Sequence, residues 1–381
     1  MRNYHITTVW GIPIRINISL VVFLPILVWL IAATGQIELY ADVVDGLAPA
    51  TLDAAALQDG STPWVIGVVA AVGLFFSVAV HELGHAYAAR RYGIGTRSIT
   101  LWIFGGLAAL ETMPREWNRE FWIALAGPVT SVLLGVGFWL TLLVVPGSLP
   151  VIVFVVGWLA VINVVLAVFN MIPAFPMDGG RILRALLARS RTYASATRTA
   201  ARVGAAFALL FAVVGVLSWN PILILIALFV YGTATTESRT TMLDELLTGV
   251  TARDVMDSSI RTVTADATLE EFADRMLRDR RSEYVVVDDD HVIGLVTLAN
   301  LRGIDRDARG STTVRDVMTT DVTSVEPLTP AFDVLISIGR APLVIVADDT
   351  GPVGTVSRQD IGQLMTLRKQ LGPGDPFEKP L

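Results

Sequence analysis

Through its first two-thirds this chain is written in long apolar runs with short polar breaks. A helix needs about 20 residues, rising about 1.5 Å each, to cross the hydrocarbon core of a bilayer. Six stretches meet or approach that length, at 17–35, 63–88, 120–145, 151–170, 201–218 and 220–235. The last two are short and joined only by Ser218, Trp219, Asn220 and Pro221, which predicts a tight helical hairpin; a single long bent segment is the alternative. Residues 96–111, TRSITLWIFGGLAALE, alternate instead and contain Gly105–Gly106, a pattern that predicts a β-hairpin or re-entrant strand. Near residue 240 the pattern changes, and beyond 250 the composition is mixed and acidic.

Arginine placement tests the six-span reading. Arg2 and Arg15 precede the first span, and Arg90, Arg91, Arg97, Arg115 and Arg119 separate the second from the third. Arg181, Arg184, Arg189, Arg191, Arg198 and Arg202 lie between the fourth and fifth or at the fifth's edge, and Arg239 follows the sixth. The alternate connections, near 36–62, 146–150 and 218–221, contain neither Arg nor Lys, and the first carries Glu38, Asp42, Asp45, Asp53 and Asp59. Positive loops stay in the cytoplasm, so both termini are expected there. A cleaved signal peptide fits the first span less well, because no small-residue cleavage site follows it.

Composition narrows the chemistry. The chain has 381 residues, 53% of them hydrophobic and 17% charged, which is the profile of a membrane protein. A formal charge of −6 without a basic stripe argues against a nucleic-acid partner. Cysteine is absent, so any metal must be held by His, Asp or Glu.

Two of the four histidines, His81 and His85, fall in one turn of the second span, in VAVHELGHAYAARR. At that spacing two imidazoles share one helix face and can bind one zinc, with Glu82 beside them to take a proton. A helix that merely tolerates three polar groups is the alternative, but ionisable groups cost roughly 2.5–3.5 kcal/mol at a span's centre and mark function there. His85 lies five residues before Arg90, about 7.5 Å along the axis, which sets the site just inside the cytoplasmic headgroups.

Zinc needs a third protein ligand and an open position. The fourth span ends FNMIPAFPMDGGR, where Pro173, Pro176, Gly179 and Gly180 break regular helix around Asp178. Irregular backbone at membrane depth survives only where it lines a cavity, which favours a ligand role; an ordinary helix-capping Asp reads equally well from the residues alone. Asn163 and Asn170 are further polar groups on that span, and an amide near a metal can stabilise an oxyanion. Gly127 and Pro128, near the start of the third span, read as a close helix contact.

HELGH on one span, followed on a later one by Asn-x-x-Pro-x-x-x-x-Asp-Gly, resembles the site-2 protease family of intramembrane zinc metalloproteases. The resemblance covers most of residues 1–235. It implies one Zn²⁺ per chain held by His81, His85 and Asp178, Glu82 as general base, and Asn170 steadying the scissile carbonyl. It further implies regulated cleavage within single-span membrane proteins at the lipid bilayer. The 96–111 hairpin, with Gly105 and Gly106, would bind an unwound substrate by strand addition; a hairpin that only covers the site is the alternative.

The acidic tail repeats itself. Arg253–Asp254–Val255–Met256 aligns with Arg315–Asp316–Val317–Met318, and each copy reads strand, helix, two strands, helix. This resembles a pair of CBS domains, which implies a pseudo-twofold module, homodimerisation through it, and an adenine nucleotide as ligand. The nucleotide signature matches at Gly354, Ser357 and Asp360, whereas the first copy has Gly294, Thr297 and Asn300, so one competent site is expected. A purely structural module is the alternative.

The expected fold is therefore an α-helical polytopic membrane protein of about six transmembrane helices with a soluble α/β CBS pair. Its parts are a metalloprotease domain over 1–240, repeats over 250–306 and 312–368, and a flexible tail over 369–381. A CBS-regulated transporter or channel is the main competing class, and an inactive membrane scaffold the next. A transport path has no need of Glu beside a His-x-x-x-His pair, and the intact set of four residues speaks against a scaffold.

Overall fold

The computed structural model describes residues 3–48, 52–112, 114–289, 291–339, 341, 343–349 and 351–371. It divides into a unit ending at Arg239 and a unit beginning at Thr240.

The first unit opens with a hairpin of β1 (Asn3–Val9) and β2 (Ile12–Asn17), turning at Trp10–Gly11 where both φ angles are positive. Ile12, Ile14 and Ile16 face inward while Arg15 faces out, the two-residue period of a half-buried strand. Asn17 then caps α1 (Ile18–Ala33) by accepting from Ser19 N at 3.0 Å. The chain bends by 66° into α2 (Gln36–Asp45), and α3 (Ala54–Leu57) follows. The 36–62 connection is thus largely helical rather than open loop. Ile37, Ala41 and Val44 recur at helical spacing and are buried, Ile37 and Ala41 in a core with Phe154 and Trp158.

Then come α4 (Thr62–Arg91), β3 (Thr96–Trp102), β4 (Gly105–Leu110), α5 (Trp117–Leu142), α6 (Pro150–Asn170), α7 (Asp178–Ala188), α8 (Tyr193–Leu217) and α9 (Pro221–Leu246). Strand order is β1-β2-β3-β4, with β2 and β3 parallel and the other pairs antiparallel. Among the described residues five helices are long and apolar enough to cross a bilayer, and six spans result if α1 and α2 count as one bent span. The fifth and sixth extend well outside their apolar windows. Thr192 caps α8 ahead of its first apolar turn, and α9 continues through polar residues to Leu246.

α4, α5 and α6 form the centre. Where α4 meets α5, a Cβ on Gly84 would lie 2.2 Å from Thr130 Oγ1 and 3.0 Å from Ala126 O. Only glycine lets the two backbones approach so closely.

The second unit contains two like halves. In sequence order one comprises α10 (Ala252–Val255), which packs in the core of the other with Ala331 and Val334, then β5 (Thr262–Thr264), α11 (Leu269–Asp279), β6 (Glu283–Asp288) and β7 (His291–Thr297). The other holds α12 (Val314–Val317), β8 (Ser324–Val325), α13 (Ala331–Ile338), β9 (Leu343–Asp348), β10 (Gly351–Ser357) and α14 (Arg358–Leu371). In each half the first strand runs parallel to the second and the second antiparallel to the third. The repeated Thr-x-x-Asp is a capping box in both copies, at Thr251–Asp254 and Thr313–Asp316. The repeated methionines are exchanged: a Cβ on Gly354 would meet Met256 Sδ, and one on Gly294 would meet Met318 Sδ. α14 runs on to Leu371, into the segment read as a flexible tail; residues 372–381 of that segment lie outside the described residues.

Candidate metal centre

His81 and His85 sit one turn apart on α4, 4% and 5% exposed, with their Nε2 atoms 3.2 Å from each other. α6 ends at Asn170, and the chain then turns through Pro173 and Pro176 to open α7 at Asp178. This turn packs tightly on itself: a Cβ on Gly179 would lie 2.4 Å from Ile172 O. Met177 occupies the N-cap position, and the Asp178 carboxylate faces the imidazoles. Its Oδ2 is 3.1 Å from His81 Nε2 and its Oδ1 is 3.2 Å from His85 Nε2. Among the described residues this is the one group of three His, Asp or Glu side chains whose ligand atoms all lie within 4.8 Å of one another.

α5 holds the rings from behind with positions 123, 127 and 131, spaced four apart on one face. His85 Nδ1 donates to Ile123 O at 2.7 Å, and His81 Nδ1 pairs with Ser131 Oγ at 2.8 Å. Between them Gly127 leaves the space the rings fill, since a Cβ there would be 2.2 Å from His85 Nε2 and 2.6 Å from His81 Nε2.

This donor set fits zinc. A backbone carbonyl can only accept, so the neutral ring of His85 carries its proton on Nδ1 and a lone pair on Nε2. That lone pair faces a carboxylate at 3.2 Å and a second imidazole nitrogen at 3.2 Å. Electron-rich atoms gathered in this way repel one another unless a proton or a metal cation sits among them, and a metal can bind all three at once. Two nitrogens and a carboxylate are a catalytic zinc set with one position open.

Glu82, next to His81, turns to the β3–β4 hairpin. Its Oε2 accepts from Ala108 N at 3.1 Å. Gly105, at φ +126, makes the turn, and a Cβ on Gly106 would lie 2.3 Å from Glu82 Cγ. The adjacent glycines therefore serve different ends, one the backbone conformation and the other the approach of the carboxylate. Among the described residues β4 ends the sheet, with no strand beside its outer edge. A cavity of about 370 Å³ is lined by His81, Glu82, His85, Asp178, Gly105, Gly106 and Asn170. Asn170 Nδ2 donates to Leu166 O at 3.0 Å, which leaves its second N–H for the cavity. Asn163 is spent elsewhere, on Ser77 Oγ and Leu159 O.

In the second unit, Ser357 and Asp360 line a cleft of about 90 Å³ with Asp257, Arg261, Arg280 and Arg281. Asp360 Oδ2 accepts from Ser357 N and Oγ at 2.8 and 2.6 Å. The first copy repeats this cap at Thr297 and Asn300, but Asn300 also donates to Val317 O at 2.6 Å. Gly354 is accounted for by its contact with Met256.

Sequence alone does not single out Ile123 O or Ser131, and it marks Gly127 as a helix contact rather than as the space that the two rings fill. A signal existed only for Ser131, a hydroxyl in an apolar span four residues from that glycine.

Residues 69–211 match the model of peptidase family M50, and residues 252–306 and 314–365 each match that of the CBS domain. The chain is 32% identical to zinc metalloprotease MJ0392 of Methanocaldococcus jannaschii over 370 residues, covering 96% of this chain and 97% of that one. It is 32% identical to Rip3 of Mycobacterium tuberculosis over 333 residues, 82% of this chain and 84% of that one. A solved structure, the site-2 protease from Methanocaldococcus jannaschii, aligns at 33% identity over 62% of this chain and 95% of its own, with a TM-score of 0.42.

Proposed function

This chain belongs to peptidase family M50, the site-2 proteases, and is a zinc metalloprotease carrying a CBS pair; on that premise we propose that it cuts single-span membrane proteins within the bilayer, using His81, His85 and Asp178 to hold the metal and Glu82 as the general base. The observation that carries this reading is the meeting of three ligand atoms from α4 and α7 in one cavity with Glu82 and the edge of β4.

Bound by this set, zinc supplies Lewis acidity, lowering the pKa of water toward neutrality and polarising a carbonyl. The protein's own groups do the rest. A substrate helix hides its peptide bonds in its own hydrogen bonds, so it must be extended before it can be cut. Apart from Ala108 N–H, which Glu82 holds, the outer edge of β4 offers main-chain partners to such an extended segment, whatever its sequence. Glu82 takes the proton of the attacking water and returns it to the leaving amine. Asn170 offers its second N–H to the developing oxyanion. Ile123 O and Ser131 keep both rings presenting Nε2.

The arginine distribution supports a cytoplasmic location for the termini and the CBS pair. There the cleft at Ser357 and Asp360 would take an adenine nucleotide, its phosphates meeting Arg261, Arg280 and Arg281. The module is also the natural contact for homodimerisation. A transporter reading has no comparable observation behind it.

The test uses purified full-length chain and a single-span model substrate. Wild type should bind one zinc and cut, and Glu82→Gln should keep the zinc and lose cleavage. Cleavage by Glu82→Gln, or a wild-type chain that binds no zinc, refutes the assignment.

A further inference from the structure

Arg184 lies on α7 six residues beyond Asp178, and at 1% exposure it is the largest side chain buried so completely. Its Nε and Nη2 reach Glu120 Oε1 at 2.7 and 2.6 Å, and its Nη1 reaches Glu237 Oε1 at 2.5 Å. The guanidinium lies 5.0 Å from the ring centre of Phe175 and 4.8 Å from that of Tyr193. Glu120 Oε2, also buried, has no hydrogen-bond partner. A cluster of one cation and two carboxylates is costly to desolvate, and apolar residues of similar volume often stabilise such a position as well or better. Stability is therefore weak ground for its presence.

Its connections do point to a role. Glu120 is on α5, three residues ahead of Ile123, whose carbonyl holds His85 Nδ1. Arg184 is on the helix that Asp178 opens. Glu237 is on α9, whose Ile226, Phe229 and Val230 also line the cavity, Phe229 stacked on Phe104 of the β3–β4 turn at 4.3 Å. One guanidinium therefore links the helix that supports His85, the helix that carries Asp178, and the last span. A planar fork with fixed donor directions suits such a three-way joint, where a lysine's point charge does not.

We propose that Arg184 is a positioning residue of the metal centre: through Glu120 it sets the spacing of α5 and α7 at which the ligands converge, and through Glu237 it makes that spacing depend on how α9 is held. The proposal rests on the zinc-protease reading above and adds to it a route by which the last span tunes turnover. Glu237 is the more exposed end of the cluster, with 34% of its side chain accessible, so it is the arm most open to adjustment.

The experiment compares wild type, Arg184→Lys, Glu237→Ala and Glu237→Gln as full-length protein in detergent. Zinc affinity is read by chelator competition, and kcat and KM are read on a single-span substrate. Arg184→Lys should weaken zinc binding and lower kcat, each by about tenfold or more, in the range that loss of a ligand's supporting partner costs. Glu237→Ala should lower kcat about tenfold with KM nearly unchanged, and Glu237→Gln, which keeps an acceptor for Nη1, should restore most of it. Wild-type kcat in Glu237→Ala, equal losses in the Ala and Gln variants, or wild-type zinc affinity in Arg184→Lys overturns the proposal. So does a drop in folded protein that alone explains the lost turnover, since that reduces Arg184 to a brace. Failure of wild type to cut, with its zinc affinity intact, strikes the protease reading alone, because the zinc arm still judges Arg184.

Discussion

Replacing Gly127 by alanine places one methyl group against both imidazoles. The added Cβ would stand 2.2 Å from His85 Nε2, 2.5 Å from its Cε1 and 2.6 Å from His81 Nε2, where ordinary contact begins at 3.4 Å. His85 must therefore retreat by about 1.2 Å and His81 by about 0.8 Å, in an interior packed as densely as an organic crystal. Zinc–ligand distances hold to within about 0.2 Å. Rotation of either ring also pulls its Nδ1 from Ile123 O or Ser131, which sit on the same helix as the new methyl. Moving α5 away instead would give up its close packing on α4 at Gly84 and leave a gap there. Loss of a supporting partner alone costs about 10–100-fold in metal affinity, so displacing the ligands themselves should cost about 100-fold or more, about 2.7 kcal/mol. The assay is zinc affinity by chelator competition on folded full-length protein, with cleavage of a single-span substrate alongside. Gly137→Ala is the control, on the same helix with nothing within 4 Å of the new Cβ, and it should match wild type. Wild-type zinc affinity in Gly127→Ala would refute the argument, because the two rings could not then lie as described.

Ser131→Ala removes the partner of His81 Nδ1 without adding volume, and should weaken zinc binding by about 10–100-fold while the chain stays folded, as circular dichroism and chelator competition would report. Asp360→Ala should abolish binding of an adenine nucleotide, read by calorimetric titration of the full chain, while Asn300→Ala leaves it unchanged; equal effects would show that the cleft is not the site. Burial first, and then the charge of Asp360, push the Glu283 carboxyl above the usual carboxylate range. Its contribution to stability is thus complete below the ordinary Glu pKa and is lost as pH rises through the raised value, so Glu283→Gln should flatten the pH dependence of the second unit's unfolding midpoint over that window; an unchanged slope counts against it.

The His81–Glu82–His85 turn is legible because it breaks the local rule of an apolar stretch; Asp178 is marked out only by the family resemblance, and the apolar runs correspond to five spans among the described residues, or six with α1 and α2 as one. The β1–β2 hairpin was not read, although Ile12, Ile14 and Ile16 alternate with Pro13 and Arg15 around a Gly turn. Its partner is the obstacle: β2 pairs with β3, Ile14 opposite Ile99, across the whole of α4, and no local pattern announces a contact so distant. α2 is legible in principle from the helical spacing of Ile37, Ala41 and Val44, which Glu38, Asp42 and Asp45 on its other face obscure. The ends of α8 and α9 escaped for a different reason. Hydropathy marks the part of a helix that lipid covers, whereas hydrogen bonding and caps decide where the helix stops.

The least legible part of the site is its support, and the reason is energetic. A histidine or carboxylate in a span is costly enough to stand out in a string of letters. A backbone carbonyl and a missing side chain cost almost nothing there, so Ile123 and Gly127 look like any other stretch of a packing helix, and Ser131 shows only as a hydroxyl that a helix's own backbone could satisfy. Their meaning arises only when α4 lies against α5 closely enough for a ring nitrogen to reach a carbonyl at 2.7 Å and for a Cβ to become an obstacle at 2.2 Å. The costly groups thus name the reaction, while the inexpensive ones fix the distances at which it can proceed. Arg184 is the exception that supports the rule: it is costly, yet in the sequence it stands among many topogenic arginines, and only its burial between Glu120 and Glu237 separates it from Arg189 and Arg191 in the same connection.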